Sequence, residues 1–215
     1  MATLTEENYL KAFYHLAQRK DSVTSSDLAE HLRVSKPTVN SMLKTLARKA
    51  LVVYEPYKPP RLTDGGKKIA AQVVRKHRLT EMFLVEKMGF GWEEVHAIAE
   101  QIEHIDSPAF FTRMDELMGH PTTDPHGSPI PDREGRISPI DFKPLTEIAV
   151  HRKVRLRAIG NSSAALLEYL NRHRIQLGDT LEITRREPFD GSLEILVDGR
   201  SLVLSAEVGG CLMVG

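Results

Sequence analysis

A chain of 215 residues with 41% hydrophobic and 27% charged side chains can bury a sizeable core, and its 14 glycines and 12 prolines exclude a fibrous or disorder-dominated class. Its one cysteine, Cys211, excludes an intramolecular disulfide or thiolate zinc cage; with no export signal and no apolar window approaching the roughly 20 residues of a membrane span, a cytoplasmic chain is expected. Net charge is zero but uneven. Residues 1–64 hold ten basic groups against seven acidic, residues 65–140 nine against twelve, and residues 141–215 ten against ten. The acidic middle also holds His77, His96, His104, His120 and His126, five of the nine histidines, a mixture suited to metal ions.

From the N-terminus, Leu10, Phe13, Tyr14 and Ala17 recur at helical spacing and predict a helix over Leu4–Ala17, opened by Thr5 with Asn8 three residues on. Residues 22–26 open a short helix over 27–32, Val34 makes a turn, and Ser35 caps a further helix with Pro37 in its first turn, running to about Lys49. Residues 51–54 and 61–63, joined by a proline-containing turn, predict a two-stranded wing. Residues 1–64 therefore read as a winged helix-turn-helix. Helical patterns from Asp64 to about Met88, over 92–107 and over 110–118 make 65–120 a helical segment. Half of all prolines (Pro121, Pro125, Pro129, Pro131, Pro139 and Pro144) then fall within 119–144, and 121–144 is expected to be an extended linker. Short alternating runs at 154–157, 180–183, 193–197 and 201–204, separated by glycine-containing turns, predict a small β-barrel over 145–215. The expected fold class is mainly α with β.

Between Arg33 and Lys49 there are five basic residues and no acidic one. Short polar groups at Ser35, Thr38, Asn40 and Ser41, with the compact Pro37 among them, suit close approach to base edges, while Lys36, Lys44 and, on the wing, Arg61 suit phosphates. The bland alternative is a solvated basic helix in an unrelated bundle. One such module makes few base contacts, so a homodimer placing two helices in major grooves about 34 Å apart on palindromic double-stranded DNA is expected.

His96, Glu100, Glu103 and His104 stand at i, i+4, i+7 and i+8, which one continuous helix would put on one face, and His77 and Glu81 repeat the i, i+4 spacing. Carboxylates beside imidazoles without thiolate favour Mn²⁺ or Fe²⁺ over structural zinc. Exposed Glu and His on a hydrated face are the alternative, as is a metal-buffering protein. Glu100-x-x-Glu103-His104 also approaches the H-x-x-E-H signature of inverted zinc peptidases, but its first ligand is wrong and no nucleophile–base pair or phosphate loop accompanies it, so no enzyme and no small-molecule substrate are expected.

The helix-turn-helix, the run Arg75-Lys76-His77-Arg78-Leu79, Trp92-Glu93-Glu94-Val95-His96, Glu103-His104 and Asp124-Pro125-His126-Gly127 together resemble the diphtheria-toxin-repressor family of metal-dependent transcriptional regulators, over nearly the whole chain. The resemblance implies a three-domain form with a C-terminal SH3-like (FeoA-like) barrel, and a dimer that represses metal-homeostasis genes with no membrane partner. It implies two metal sites: a primary one of Asn8, Glu100, Glu103 and His104, and an ancillary one of His77, Glu81 and His96, with Asp124 and His126 as linker candidates. Glu100 resembles the manganese sensors, where cysteine would resemble the iron sensors, so Mn²⁺ is the implied corepressor and Fe²⁺ the alternative. Lys11 departs from the family pattern by replacing a carboxylate that could complete a paired-metal site. Metal would then join Asn8 to the Glu100–His104 segment, whereas repulsion between Glu100 and Glu103 would loosen the metal-free chain.

Overall fold

The computed structural model describes residues 2–55, 57–137 and 141–215; Pro56 of the expected wing turn and Pro139 of the expected linker lie outside them. The chain divides into two compact units, Met1–His77 with Glu100–Thr112 and Pro131–Ile137, and Arg78–Ala99 with Arg113–Ile130 and Ser138–Gly215.

In the first unit, α1 (Leu4–Ala17) starts one position earlier than the Thr5 reading: Thr3 is the N-cap. Its hydroxyl accepts from the Glu6 N–H at 3.3 Å, and its own N–H donates to Glu6 Oε2 at 2.8 Å. This capping box satisfies two backbone donors that a helix start leaves unpaired. Burial opposes the Glu6 charge, but Lys49 Nζ at 2.8 Å and Thr3 hold its carboxyl below the usual range. α2 (Ser25–Leu32) opens with the same device, Thr24 with Asp27, and stops where Arg33 takes a left-handed conformation. α3 (Lys36–Arg48) is capped by Ser35 and carries Pro37 in its first turn, as expected. Val39, Leu43 and Leu46, spaced i, i+4, i+7, turn to the core with Leu10, Phe13, Val23, Leu28 and Val52. Each fully buried leucine contributes roughly 1.5–3 kcal/mol.

The wing is β1 (Val52–Val53) paired antiparallel with β2 (Arg61–Leu62). Behind it begins α4 (Asp64–Met88), 25 residues and about 37 Å long. Gly66 is required here: a Cβ would sit 2.0 Å from the Leu51 carbonyl oxygen. The first part of α4 buries Ala70, Ala71, Val73, Val74 and His77 in the first unit, and the second buries Leu79, Glu81 and Leu84 in the other.

α5 (Val95–Ile102) is shorter than the 92–107 pattern, because the Ile105 N–H bonds the Ile102 carbonyl (2.9 Å) and closes a turn before Pro108. α6 (Pro108–Leu117) follows.

The rest of the second unit is one antiparallel sheet around its own core. It comprises β3 (Lys143–Pro144), β4 (Lys153–Ile159), β5 (Thr180–Arg186), β6 (Leu193–Val197), β7 (Arg200–Leu204) and β8 (Leu212–Val214), in the order β3-β8-β4-β5-β6-β7. Val154 faces Leu181, Ile183 faces Ile195, and Ile195 faces Leu202. Alternate residues therefore point into a core of Leu156, Leu181, Ile183, Leu193, Ile195, Val197 and Leu212. α7 (Ala164–Arg172), capped by Ser163, adds Leu167 and Leu170 to that core, and a short α8 (Ala206–Cys211) precedes β8. The expected alternating runs form β4 to β7. The linker differs from expectation, since it contains β3 and an isolated bridge between Thr123 and Pro129; Cys211 ends α8.

Candidate metal centre

Two groups of titratable side chains gather, one in each unit. In the first unit α1 presents Glu7, Asn8 and Lys11 on neighbouring turns, facing Glu100, Glu103 and His104. Glu103 and His104 follow the last turn of α5, so the donors expected on one helical face come partly from the turn after Ile102. Glu103 is fully buried. Its Oε1 lies 2.7 Å from Lys11 Nζ and 3.3 Å from His104 Nε2, and its Oε2 lies 2.5 Å from His77 Nδ1. Lys11 Nζ also donates to Glu100 Oε1 at 2.6 Å. Repulsion between Glu100 and Glu103 is thus neutralised by Lys11, where sequence reasoning expected it to loosen the chain.

His104 Nδ1 lies 2.7 Å from Glu7 Oε2. A carboxylate can only accept, so Nδ1 carries a proton, and the neutral form of a ring so held has its lone pair on Nε2. Among the described residues, that Nε2 and Asn8 Oδ1 are buried without a hydrogen-bond partner. Buried polar atoms are rarely left so, because desolvation without a replacement bond costs about 1–3 kcal/mol. An imidazole nitrogen 3.3 Å from a buried carboxylate oxygen, with a buried amide oxygen on the facing α1, is a donor set that suits a divalent cation. Glu7 was missed as the orienting partner of His104; its place at i−1 to Asn8 on a helix carried no signal of that role.

In the second unit, the ligand atoms of Glu81, Asp124 and His126 lie within 4.8 Å of one another, all three residues being buried. Glu81 comes from α4; Asp124 and His126 come from a loop clamped against β4. His126 donates Nε2–H to the Trp92 carbonyl (2.8 Å), and its Nδ1 lies 3.8 Å from Glu81 Oε2. Asp124 Oδ1 accepts from the His126 and Ser128 backbone N–H groups, each at 2.9 Å, and Arg78 Nε stands 3.5 Å from Oδ2. Burial, reinforced by the nearby Glu81 charge, pushes the Asp124 carboxyl above its ordinary range despite Arg78 and His126. Gly127 is required at the loop's tip, with φ +83° and no room for a Cβ, which would meet the Arg157 carbonyl at 2.1 Å. His96 is exposed, with Nδ1 3.2 Å from Glu81 Oε1. Glu81 is thus brought together with Asp124 and His126 on one side and with His96 on the other, and His77 Nδ1 lies 2.5 Å from Glu103 Oε2 in the first unit.

Of the residues expected to meet nucleic acid, Ser35, Lys36, Pro37, Thr38, Ser41, Lys44 and Arg61 are exposed and Asn40 is half-buried. Ser35 Oγ and Thr38 Oγ1 bond each other at 2.7 Å as part of the α3 cap.

The chain matches family models across nearly its whole length: the N-terminal DNA-binding domain of the iron-dependent repressors over residues 1–59, their metal-binding and dimerisation domain over 63–132, and the FeoA domain over 143–215. It is 30% identical to the iron-dependent repressor IdeR of Mycobacterium leprae, with 98% of this chain and 88% of that protein aligned. Among solved structures, a manganese-dependent transcriptional repressor in complex with manganese superimposes with a TM-score of 0.89 at 31% identity, covering 97% of this chain and 98% of that one. ScaR with bound Cd²⁺ gives 0.83 at 31%, covering 98% of each chain. The matched family is one of repressors and not of enzymes, which removes the peptidase alternative. With an exposed helix-turn-helix, a carboxylate–imidazole centre and a six-stranded C-terminal sheet in the order of these relatives' domains, the chain belongs to the diphtheria toxin repressor family of metal-dependent transcriptional regulators.

Proposed function

We propose that the chain is a cytoplasmic, homodimeric repressor of metal-homeostasis genes that binds palindromic operator DNA with Mn²⁺ as corepressor. Residues 1–64 carry DNA binding, 65–120 dimerisation and the metal centre, 121–144 the connection, and 145–215 the SH3-like domain. The observation that carries the metal reading is the pair of orphaned buried acceptors, Asn8 Oδ1 and His104 Nε2, beside Glu100 and Glu103. A divalent cation at these atoms would supply the charge and coordination that no donor among the described residues gives them. Oxygen and imidazole donors without thiolate favour Mn²⁺ or Fe²⁺, and the manganese complex among the structural relatives supports the first. Fe²⁺ is the second reading, supported by the iron dependence in the name of the M. leprae relative. A second ion is assigned to Glu81, Asp124 and His126, with His96 at its exposed side and His77 serving Glu103.

The residues act by position. Asn8 sits in the helix that packs against α2 and α3, so holding it to Glu103 and His104 fixes the helix-turn-helix on the segment 100–112. Lys36, Lys44 and Arg61 then meet phosphates while Ser35, Pro37, Thr38, Asn40 and Ser41 approach bases. Coupling of this kind amounts to about 1–3 kcal/mol, a 5- to 150-fold change in operator affinity. No helix among the described residues is long and apolar enough to cross a membrane. Gel shifts with palindromic promoter DNA, with and without Mn²⁺ or anaerobic Fe²⁺, test the proposal: binding should tighten with Mn²⁺ within that range, and equal binding in all lanes refutes it.

A further inference from the structure

We propose that Lys11 is a resident cation of the first cluster, tying α1 to Glu100 and Glu103 in the metal-free chain and limiting the cluster to one divalent ion. The proposal rests on the metal reading above. Lys11 is almost entirely enclosed, with its side chain 11% exposed, and its Nζ lies 2.6 Å from Glu100 Oε1 and 2.7 Å from Glu103 Oε1. Lysine is seldom buried unless paired, and a buried carboxylate such as Glu103 needs a compensating cation. Lys11 follows Asn8 by three residues on α1, so the ammonium and the orphaned amide oxygen leave the same side of that helix.

Charge sets the occupancy. The carboxylates of Glu7, Glu100 and Glu103 are balanced by one ammonium and one divalent ion, whereas a second divalent ion would leave an excess of two positive charges in a largely buried place. A carboxylate in place of Lys11 reverses that balance: four negative charges would match two divalent ions. The ammonium also competes with the bound ion for Glu100 and Glu103, so removing it should tighten binding of a single ion.

The test uses the full chain carrying Glu81→Gln and His126→Ala, which disable the other cluster, with Mn²⁺ followed by calorimetry and electron paramagnetic resonance. With Lys11 present, one Mn²⁺ should bind and give the signal of an isolated ion. Lys11→Met should bind one ion at least about tenfold tighter, the effect of removing a neighbouring like charge, and should melt at lower temperature without metal. Lys11→Glu should bind two ions whose signals are coupled. Lys11→Arg, which keeps the charge, should bind one ion and melt without metal like the Lys11 protein, giving a readout should Lys11→Met not fold. Two ions bound to the Lys11 or Lys11→Arg protein, or equal counts and affinities across the series, would overturn the assignment of Lys11 alone. No Mn²⁺ uptake by the Lys11 protein would overturn the metal reading and Lys11's role with it.

Discussion

The two clusters use the same donor chemistry and solve its electrostatics differently. In the first, the carboxylates are neutralised by Lys11 and the neutral donors are orphaned. In the second, Asp124 is held by two backbone N–H groups and a more distant Arg78, its carboxyl pushed up by burial, and His126 is oriented by the Trp92 carbonyl. Donors of the first are about 90 residues apart in sequence, between α1 and the turn after α5. Those of the second join the latter part of α4 to a loop. The first cluster thus joins α1 to the segment 100–104, and the second joins the 124–128 loop to α4.

Glu103→Ala is the harshest break of this contrast. It should abolish the Mn²⁺-dependent gain in operator affinity while sparing salt-dependent nonspecific binding. It should also cost about 3–5 kcal/mol in denaturant unfolding, since Lys11 and His77 lose their buried partner. His126→Ala should retain most of the Mn²⁺-dependent gain; complete loss would erase the distinction between the clusters.

Gly127→Ala strikes the other side. The added methyl would meet the Arg157 carbonyl, so a cost of roughly 1–3 kcal/mol is expected, with loss of one bound Mn²⁺ equivalent and an unchanged first cluster. Calorimetric counting of Mn²⁺ checks this, and an unchanged count refutes the loop's part in binding.

Asn8→Asp sharpens the comparison, because it changes a donor from neutral to charged where Lys11 already supplies the opposite sign. Mn²⁺ should bind about tenfold tighter at the first cluster, close to 1.4 kcal/mol. Lys44→Gln gives the smallest effect: uniformly weaker DNA binding, a salt-dependence slope reduced by about one, and unchanged metal counts.

Much of the fold was legible because periodicity and caps agree. Asp64 and Met88 bound a helix along which apolar residues recur at helical spacing, and Ser35 with Pro37 marks a helix start. The N-cap at Thr3 was also readable, since Thr3-x-x-Glu6 has the spacing of a capping box, but Thr5 lies closer to the apolar stripe. β8 and α8 were hidden because Gly209-Gly210 suggests a turn, while the cap that starts α8 is Ser205. At the site, residue types named the donors, yet spacing misplaced Glu103 and His104 on a helix that had already ended. Nothing local could reveal that Glu7 orients His104 or that Lys11 neutralises Glu100 and Glu103, since these pairs form only when distant segments meet.

Gly66 gives the long helix a mechanical meaning. Its Cα lies so tight against the Leu51 carbonyl that even a methyl group is excluded. Leu51 directly precedes β1, so a side chain at position 66 would push the hairpin off the root of α4.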